Sequence, residues 1–301
     1  MKNHINLLVI VVVVLNAGLI SECRSQTQGG NDEQRIDSLI RVQTINDKTI
    51  LVTFGPDAVT AIQTDSGIVV IDAGISTGLT ARYKAIIERE FQDHRFVFVI
   101  HTHAHHDHVR GNSVFGEAKI VGHESCRGAI LELGNEPEKK LERFKALIDM
   151  FDLQTKDSSR SITDRCDAFY QKIRCSEAHE DIRNHIPIRV PDIQFSDSLI
   201  IESGNVTFEL YYFGECHSES DILVFVPELS LLFTGDLFSS YGRPSISETS
   251  VPDKERCLES VQLIQARMNQ IKTIIGGHGQ ILSVEDLKLF CEKLLEECSW
   301  E

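Results

Sequence analysis

The sequence lacks an excess of positive charge and lacks closely spaced cysteines, and each absence excludes a class of partner or site. Thirty Lys and Arg stand against 45 Asp and Glu, so the formal net charge is −15. Nucleic acids and anionic membrane surfaces are bound by clustered Lys and Arg, and neither is therefore an expected partner. No Cys-x-x-Cys occurs among the eight cysteines, which argues against a zinc site built from thiolates.

The cysteines are instead spread through the chain, and an oxidising compartment would allow them to form disulfides. Cys166 and Cys175, nine residues apart, are the best candidates for a local disulfide. The other pairings stay open, because connectivity does not follow from sequence spacing alone.

The N-terminus predicts export. Lys2 precedes an apolar run over residues 7–15, which is the pattern of a bacterial signal peptide, and the run is short for a membrane-spanning helix. Residues 19–23 resemble a lipoprotein cleavage box with Cys23 as the lipid-bearing residue, although Glu22 stands where a small residue is expected. Lipidation of Cys23, ordinary cleavage and an uncleaved anchor all stay open. We predict a signal peptide over residues 1–22, a polar tether over 23–47, and a location in the periplasm or cell envelope.

The remaining chain, residues 48–301, is predicted to form one domain of alternating strands and helices. Turn residues separate three short strands over 49–54, 58–64 and 67–72, so the first sheet is expected to begin antiparallel. The third of these strands is apolar without alternation, as expected of a strand buried on both faces. Two strand-rich halves, each closed by helices, predict an α/β architecture with helices on both outer faces of two packed sheets.

Residues 125–187 are predicted to be a helical insertion in this domain. Apolar residues recur at three- and four-residue intervals over 136–151, which is typical of an amphipathic helix. Two roles stay open for this segment. It could form a lid or wall beside a functional site, or it could simply cover one edge of a sheet.

A dense histidine cluster follows the apolar strand over 96–100. Five of the twelve histidines fall within residues 101–108, together with Asp107. In extended backbone, side chains two residues apart point the same way, so His103 and His105 can bind one metal ion. If the chain turns after His105, Asp107 and His108 can face a second ion, and imidazole with carboxylate suits zinc but also iron or manganese.

Further candidate ligands stand after later apolar strands, beside glycines that let the backbone turn tightly. These residues are His217, Asp236 and His278. The ordered set of His103, His105, Asp107, His108, His217, Asp236 and His278, with Asp72 closing an earlier strand, resembles the metallo-beta-lactamase superfamily. The resemblance covers about residues 48–285, and only the insertion has no counterpart in the motif pattern.

The resemblance implies a four-layer αββα sandwich of two mixed β-sheets and a site for two Zn²⁺ ions, with Fe or Mn as alternatives. His103, His105 and His217 would hold the first ion, and Asp107, His108 and His278 the second. Asp236 would bridge both ions, and Asp72 would orient a ligand from behind. Asp107 and Asp236 are the expected catalytic carboxylates, and Asp221 matches the family's structural Asp.

Other polar residues near these motifs are expected to play supporting parts. His101, His106 and His123 are assigned to support or packing, and Cys216 to the core or the wall of the site. Tyr241 and Arg243 could contact a substrate, although an ordinary surface loop is the simpler interpretation.

The implied function is that of an exported dinuclear-zinc hydrolase in which a metal-bridging hydroxide attacks an ester, lactone or lactam of a small molecule. In the resembling family, the lactamases closest in the first motif lack an Asp at the bridging place, so Asp236 argues against a dedicated antibiotic-degrading enzyme. A glyoxalase II-like thioesterase or a phosphodiesterase is the enzymatic alternative. A metal-binding or inactive family member is the non-enzymatic alternative, with the insertion as the element that would block the site.

Overall fold

The computed structural model describes residues 32–237 and 254–299. The predicted signal peptide and the Cys23 motif lie outside these residues, as do Tyr241 and Arg243. Among the described helices, none combines the length and apolarity needed to span a membrane.

Thirteen described strands form two mixed sheets. The seven-stranded sheet has the order β1-β2-β3-β4-β5-β6-β7, antiparallel from β1 to β4 and parallel from β4 to β7. Its strands are β1 Arg41–Asn46, β2 Thr49–Phe54, β3 Asp57–Thr64, β4 Gly67–Ile71, β5 Phe96–Ile100, β6 Lys119–His123 and β7 Ile193–Phe195.

The six-stranded sheet has the order β13-β12-β11-β10-β9-β8, and only its β11 and β12 are paired in parallel. Its strands are β8 Ser198–Ser203, β9 Val206–Tyr212, β10 Ile222–Val226, β11 Leu231–Gly235, β12 Thr273–Gly276 and β13 Ile281–Leu282. The predictions of two mixed sheets and of a first sheet that begins antiparallel are confirmed.

Helices cover both outer faces of the sheets. The described α-helices are α1 Asp32–Leu39, α2 Thr77–Phe91, α3 His106–Val109, α4 Ser125–Leu133, α5 Pro137–Lys156, α6 Ile162–Arg183, α7 Lys254–Arg267 and α8 Val284–Ser299. Three short 3-10 helices span Arg110–Phe115, Pro227–Leu229 and Met268–Gln270.

Three apolar clusters divide the molecule into four layers. One cluster joins α1, α2, α5 and α6 to the outer face of the seven-stranded sheet. A second fills the space between the two sheets, and a third joins α7 and α8 to the outer face of the six-stranded sheet. The predicted αββα sandwich is therefore observed.

Strand β4 shows why its sequence is apolar without alternation. Ile68 and Val70 belong to the cluster under the helices, whereas Val69 and Ile71 belong to the cluster between the sheets. Both faces of β4 are thus buried, and the strand delivers the next residue, Asp72, to the interior at the edge of the sheet.

The predicted polar tether over residues 23–47 is wrong over residues 32–46. This stretch forms α1 and β1, and β1 pairs antiparallel with β2. Ile36 and Leu39 of α1 are buried in the cluster under the helices, and each contributes about 1.5–3 kcal/mol of hydrophobic stabilisation. The polar residues between them occupy the exposed face of a helix, which polar composition alone does not distinguish from a tether.

The segment over residues 125–187 contains α4, α5 and α6. Helices α5 and α6 pack against each other, and α6 also packs on α2. Phe169, Tyr170 and Ile173 of α6 lie in the cluster under the helices, so this segment supplies much of one outer layer.

The suggested Cys166–Cys175 pair is wrong. Cys175 is a buried thiol outside any disulfide, whereas Cys166 is disulfide-bonded. Both residues lie on the single helix α6, where a nine-residue separation places their Cα atoms about 13 Å apart, beyond the reach of a disulfide.

Candidate metal centre

The candidate site lies where the strands of both sheets end. Asp72 follows β4, and His103 and His105 follow its parallel neighbour β5. Asp236 follows β11, and His278 follows its parallel neighbour β12. Because parallel strands end at the same edge, each pair of strands delivers its polar residues to one place. His217 joins them from the loop between β9 and β10.

The chain turns after His105, as the spacing of the cluster requires. His105 has extended backbone angles and is the N-cap of the four-residue helix α3. Two hydrogen bonds hold this helix in place, from the Ala73 N–H to the His108 carbonyl at 2.7 Å and from the His108 N–H to the His105 carbonyl at 3.0 Å. His103 and His105 thus leave the extended backbone in one direction, whereas Asp107 and His108 leave the helix in another.

All seven predicted ligands come together, in three overlapping groups. The groups are His103, His105 and His217; Asp107, His108 and His278; and His103, His108 and Asp236. In each group the candidate ligand atoms lie within 4.8 Å of one another. The first two groups match the predicted first and second metal ions.

Asp236 is the centre of the arrangement. Its Oδ2 lies 3.0 Å from His278 Nε2, 3.5 Å from His108 Nε2, 3.6 Å from His217 Nε2 and 3.9 Å from His103 Nε2. One carboxylate oxygen therefore faces histidines of both groups, which is the geometry of a bridging ligand.

The donor atoms fit a metal site because several of them have no other partner. His103 Nε2, His108 Nε2 and Asp236 Oδ1 are buried and have no hydrogen-bond partner among the described residues. A buried polar atom without a partner costs about 1–3 kcal/mol. Three such atoms converging with further imidazole and carboxylate groups are accounted for by cations with nitrogen and oxygen ligands.

Asp72 fixes the orientation of His108 from behind. Its carboxylate accepts hydrogen bonds from Thr102 N at 2.8 Å, Thr102 Oγ1 at 2.8 Å and His108 Nδ1 at 2.9 Å. Because a carboxylate only accepts, His108 carries its proton on Nδ1, and the lone pair of Nε2 faces the site. Asp72 has φ of 60°, a left-handed conformation that short polar residues such as Asp and Asn tolerate best.

Two further histidines have their tautomers fixed by neighbouring oxygens. His278 Nδ1 lies 2.6 Å from the carbonyl oxygen of Pro56, which can only accept a hydrogen bond. The Thr102 hydroxyl donates to Asp72 and so accepts from His103 Nδ1 at 3.1 Å. In each case Nδ1 carries the proton and Nε2 is left as a metal ligand.

Arg174 is a residue of the site that sequence reasoning missed. It lies on α6, 67 positions from Asp107 in the chain, and its Nη2 donates to Asp107 Oδ2 at 3.1 Å. Its Nε also lies 3.9 Å from the buried carboxylate of Asp57. The predicted insertion thus forms a wall of the site, and no local pattern around Arg174 distinguishes it from other charged residues of the helix.

The charges of the site favour ionised carboxylates. Burial opposes ionisation of Asp107, but the hydrogen bond with His106 and the charges of His108 and Arg174 hold its pKa well below the usual range. Burial likewise opposes ionisation of Asp236, and its contacts with His108 and His278 outweigh burial, so its pKa is also far below the usual range. Both side chains are therefore available as anionic ligands at neutral pH.

The histidines differ according to their surroundings. Burial lowers the pKa of His103 well below its usual value and that of His105 to about 4, so both are neutral and able to bind a cation. Burial also disfavours the protonated form of His108, but the Asp236 and Asp72 carboxylates outweigh it and raise the pKa of His108. A proton and a cation therefore compete for His108 Nε2.

Two glycines allow the backbone to approach the site closely. A Cβ atom on Gly277 would lie 2.3 Å from Asp236 Oδ1 and 2.8 Å from His108 Cε1. A Cβ atom on Gly235 would lie 2.8 Å from Thr102 Cβ, and Gly235 also has a positive φ of 52°. The glycines beside Asp236 and His278 are therefore required by space.

The remaining histidines of the motifs make supporting and packing contacts. His101 is buried, and its Nε2 is hydrogen-bonded to Asn112 Oδ1 at 2.8 Å. His106 Nδ1 lies 3.3 Å from Asp107 Oδ1. His123 stacks on Tyr212 with ring centroids 3.8 Å apart.

The loop that carries His217 is shaped by Asp221. One oxygen of Asp221 accepts hydrogen bonds from the backbone N–H groups of His217 at 2.6 Å and Ser218 at 2.8 Å. Cys216 is buried in the apolar cluster under α7 and α8, in agreement with its assignment to the core. Asp221 thus acts on the backbone of the loop, as predicted for a structural residue.

Comparison with known proteins places this geometry in a family. The sequence model of the metallo-beta-lactamase superfamily matches residues 52–278. A metallo-beta-lactamase type 2 of Bacillus cereus is 23 % identical over 220 residues, which cover 73 % of this chain and 66 % of that protein. One from Bacteroides fragilis is 25 % identical over 99 residues, covering 33 % and 40 % of the two chains. The match thus spans just under two thirds of the Bacillus cereus relative.

Solved structures show the same fold at lower identity. A metallo-beta-lactamase from Pontibacter korlensis superposes with a TM-score of 0.56 at 18 % identity, covering 85 % of this chain and 99 % of that one. The stereoselective inverting sec-alkylsulfatase Pisa1 from Pseudomonas sp. superposes with a TM-score of 0.59 at 15 % identity, covering 86 % and 42 %. With the family match over three quarters of the sequence, the chain belongs to the metallo-beta-lactamase superfamily.

Proposed function

We propose that this protein is a metal-dependent hydrolase that binds two zinc ions. His103, His105 and His217 would hold the first ion, Asp107, His108 and His278 would hold the second, and Asp236 would contact both. The observation that carries the proposal is the convergence of seven competent donors, three of whose atoms are buried without a hydrogen-bond partner among the described residues.

The ions, when bound, supply Lewis acidity and lower the pKa of bound water towards neutrality. The chain itself fixes the orientation and tautomers of three of its candidate histidine ligands. Asp72, Thr102 and the Pro56 carbonyl keep the Nδ1 protons of His108, His103 and His278 away from the site. For these three histidines no tautomer has to change when a cation enters, so this part of the site is preorganised. His105 Nδ1 and His217 Nε2 lie 3.0 Å apart and share a hydrogen bond that the first ion would replace.

Asp107 is the other carboxylate to which we assign a catalytic role. Its Oδ2 accepts a hydrogen bond from Arg174 at 3.1 Å and its Oδ1 lies 3.3 Å from His106 Nδ1, so both oxygens have protein partners besides the ion that Asp107 would hold. The Arg174 contact also fixes the orientation of the carboxylate. Asp236, which faces four histidines, is committed to holding the two ions together.

The proposed substrate is a small molecule with an ester, lactone or lactam bond. The curated relatives named metallo-beta-lactamase type 2 support a lactam, whereas Asp236 as bridging ligand favours an ester or lactone. A glyoxalase II-like thioesterase and a phosphodiesterase are the alternatives with the same metal chemistry. A non-catalytic metal-binding protein is the remaining alternative, and a nucleic-acid substrate is disfavoured by the net charge of −15.

We further propose that the protein acts outside the cytoplasm, in the periplasm or cell envelope. The signal-like sequence over residues 1–22 supports this location, as does the disulfide at Cys166, because disulfides persist in oxidising compartments. Contact with a membrane is then limited to the N-terminal segment or to a lipid on Cys23.

The test is metal analysis combined with a substrate panel. Purified full-length protein, loaded with zinc and dialysed, is expected to hold about two ions per chain and to hydrolyse at least one class among chromogenic lactam, lactone, ester, thioester and bis-phosphate substrates. Asp236→Ala is expected to lower the metal content to about one ion and to reduce hydrolysis by at least tenfold.

The control is Asp149→Ala, which changes an exposed carboxylate on α5 that is not among the candidate ligands. It is expected to keep both ions and the full rate. Two bound ions with no hydrolysis across the panel would favour the metal-binding alternative. An Asp236→Ala variant that retains both ions and the full rate would show that the bridging assignment is wrong.

A further inference from the structure

A cavity lies beside the end of α3, and none of the seven candidate metal ligands lines it. Its volume is about 300 Å³, at the lower end of the range for small-molecule sites. The walls come from α4, from the end of α6 and from the segment over residues 185–188. Arg110, two positions after the candidate ligand His108, contributes the charged group.

The walls of this cavity are predominantly apolar. Ile130, Leu133, Pro137, Ile182 and Ile188 line it, and Ile130 and Ile182 are buried. Apolar surface of this kind is stabilised by contact with an apolar ligand, because water makes no hydrogen bonds to it.

The mouth of the cavity is apolar as well. Leu131 is 57 % exposed and Ile186 is 36 % exposed, and both line the cavity. Large apolar side chains exposed together at the rim of a concave site are typical of a surface that receives an apolar group. The cavity is therefore accessible from solvent along an apolar path.

Arg110 is the unusual member of this set. Only 4 % of it is exposed, and its Nε is buried with no hydrogen-bond partner among the described residues. Within the same part of the chain, no carboxylate lies at ion-pair distance from its guanidinium group. A buried cation without a paired anion is costly, since its desolvation is not offset by a hydrogen-bonded counter-charge.

Asp181, the carboxylate whose charge acts on Arg110, forms no ion pair with it. The Asp181 carboxylate is instead engaged by the backbone N–H of Thr77 at 2.7 Å and by the Thr77 hydroxyl. The guanidinium group thus remains available to an anion that enters the cavity.

We propose that this cavity binds a small carboxylate with an apolar tail, with Arg110 as the residue that binds the carboxylate. A guanidinium group offers its N–H donors in a planar fork that matches the two oxygens of a carboxylate. The apolar walls receive the tail, and the volume limits the ligand to the size of a medium-chain fatty acid. This site is separate from the proposed metal centre and does not depend on the proposed hydrolase activity.

Binding is tested by calorimetric titration of the full-length, zinc-loaded protein with octanoate. Two variants alter the cavity: Arg110→Met removes the charge with little change in size, and Leu131→Glu places a carboxylate at the exposed mouth. Each is expected to weaken octanoate binding at least tenfold. Because Leu131 is largely exposed, the Leu131→Glu variant tests the cavity even where Arg110→Met does not fold.

The matched controls change the same residue types away from the cavity. Arg127→Met replaces an exposed arginine of α4, and Leu153→Glu replaces a leucine of α5 that is 70 % exposed, and neither residue lines the cavity. Both controls are expected to bind octanoate like the wild type. Acetate and octanol, which each carry half of the proposed ligand chemistry, are expected to bind at least tenfold more weakly than octanoate.

Three results would overturn the proposal. The first is the absence of saturable octanoate binding, and the second is octanol binding as tight as that of octanoate. The third is binding that both cavity variants retain but that chelation of the metals abolishes, which would place the carboxylate on the metal ions.

Discussion

Replacing Asp72 with Asn tests how the protein prepares the proposed site for a second metal ion. The substitution preserves side-chain size, and Asn tolerates the φ of 60° at this position. The amide oxygen can still accept from Thr102 N, but the amide nitrogen now stands where Oδ2 accepts from His108 Nδ1. Two donors then face each other unless His108 moves its proton from Nδ1 to Nε2. In that tautomer, Nε2 has no lone pair for a cation.

The size of the effect follows from this competition. The ligating tautomer of His108 loses one hydrogen bond to a charged acceptor, which is worth about 1.5–3 kcal/mol. That loss corresponds to a roughly 10–100-fold weaker affinity, the range usual for residues that support a metal ligand. The loss should be largest for the ion held by Asp107, His108 and His278. A smaller loss is expected for the ion held by His103, His105 and His217, because the Thr102 hydroxyl that orients His103 also donates to the substituted Oδ2.

The assay is a competitive titration of metal-free protein with zinc and a chelator, which resolves two stepwise dissociation constants. Asp181→Asn is the matched control, because Asp181 is also buried and accepts from the N–H and hydroxyl of one threonine, Thr77, but contacts no histidine. It is expected to lose stability without losing metal affinity. Wild-type affinity at both sites in Asp72→Asn would refute the tautomer argument, and an equal loss at both sites would refute the assignment of His108 to one ion.

Three further predictions concern the surroundings of the candidate ligands and the effect of removing zinc. Gly277→Ala should weaken zinc binding and hydrolysis at least tenfold, because its Cβ would lie 2.3 Å from Asp236 Oδ1. The control is Gly128→Ala, where a Cβ meets nothing within 4 Å. This control should leave zinc binding and hydrolysis unchanged and should stabilise α4 by about 0.4–1 kcal/mol. Arg174→Met should weaken the second ion about 10–100-fold by releasing Asp107, and unchanged stepwise constants would contradict its positioning role. Removing zinc with a chelator should lower the midpoint of thermal unfolding, since zinc at 100–1,000 times its dissociation constant adds about 2.7–4.1 kcal/mol to the free energy of unfolding. Identical unfolding midpoints with and without chelator would count against a metal site in the folded protein.

The convergence of the first four candidate ligands could be predicted because their spacing is local. His103, His105, Asp107 and His108 lie within six residues, and the alternation of extended backbone followed by one turn determines which of them share a direction. The later ligands each follow an apolar strand beside a glycine. Those glycines are required by distances that the sequence does not show, such as the close approach of Gly277 to Asp236.

The prediction of a polar tether failed for a physical reason. Residues 32–39 are mostly polar, and only Ile36 and Leu39 are buried deeply against the layer of helices. A helix that covers the outside of a domain buries one narrow stripe, so its composition resembles that of a linker. Whether such a stripe finds a partner is decided by packing between distant elements.

What the sequence by itself determined is the αββα class, with two mixed sheets built from apolar strands, and the set of residue types able to hold two cations. What only the tertiary structure decided is how distant segments meet: Arg174 of α6 on Asp107, the Pro56 carbonyl on His278, and Arg110 in an apolar cavity without a counter-ion. The reason is that strand and helix periodicities are local properties of the chain. Contacts between residues tens to hundreds of positions apart depend on the packing of whole layers, which no local pattern encodes.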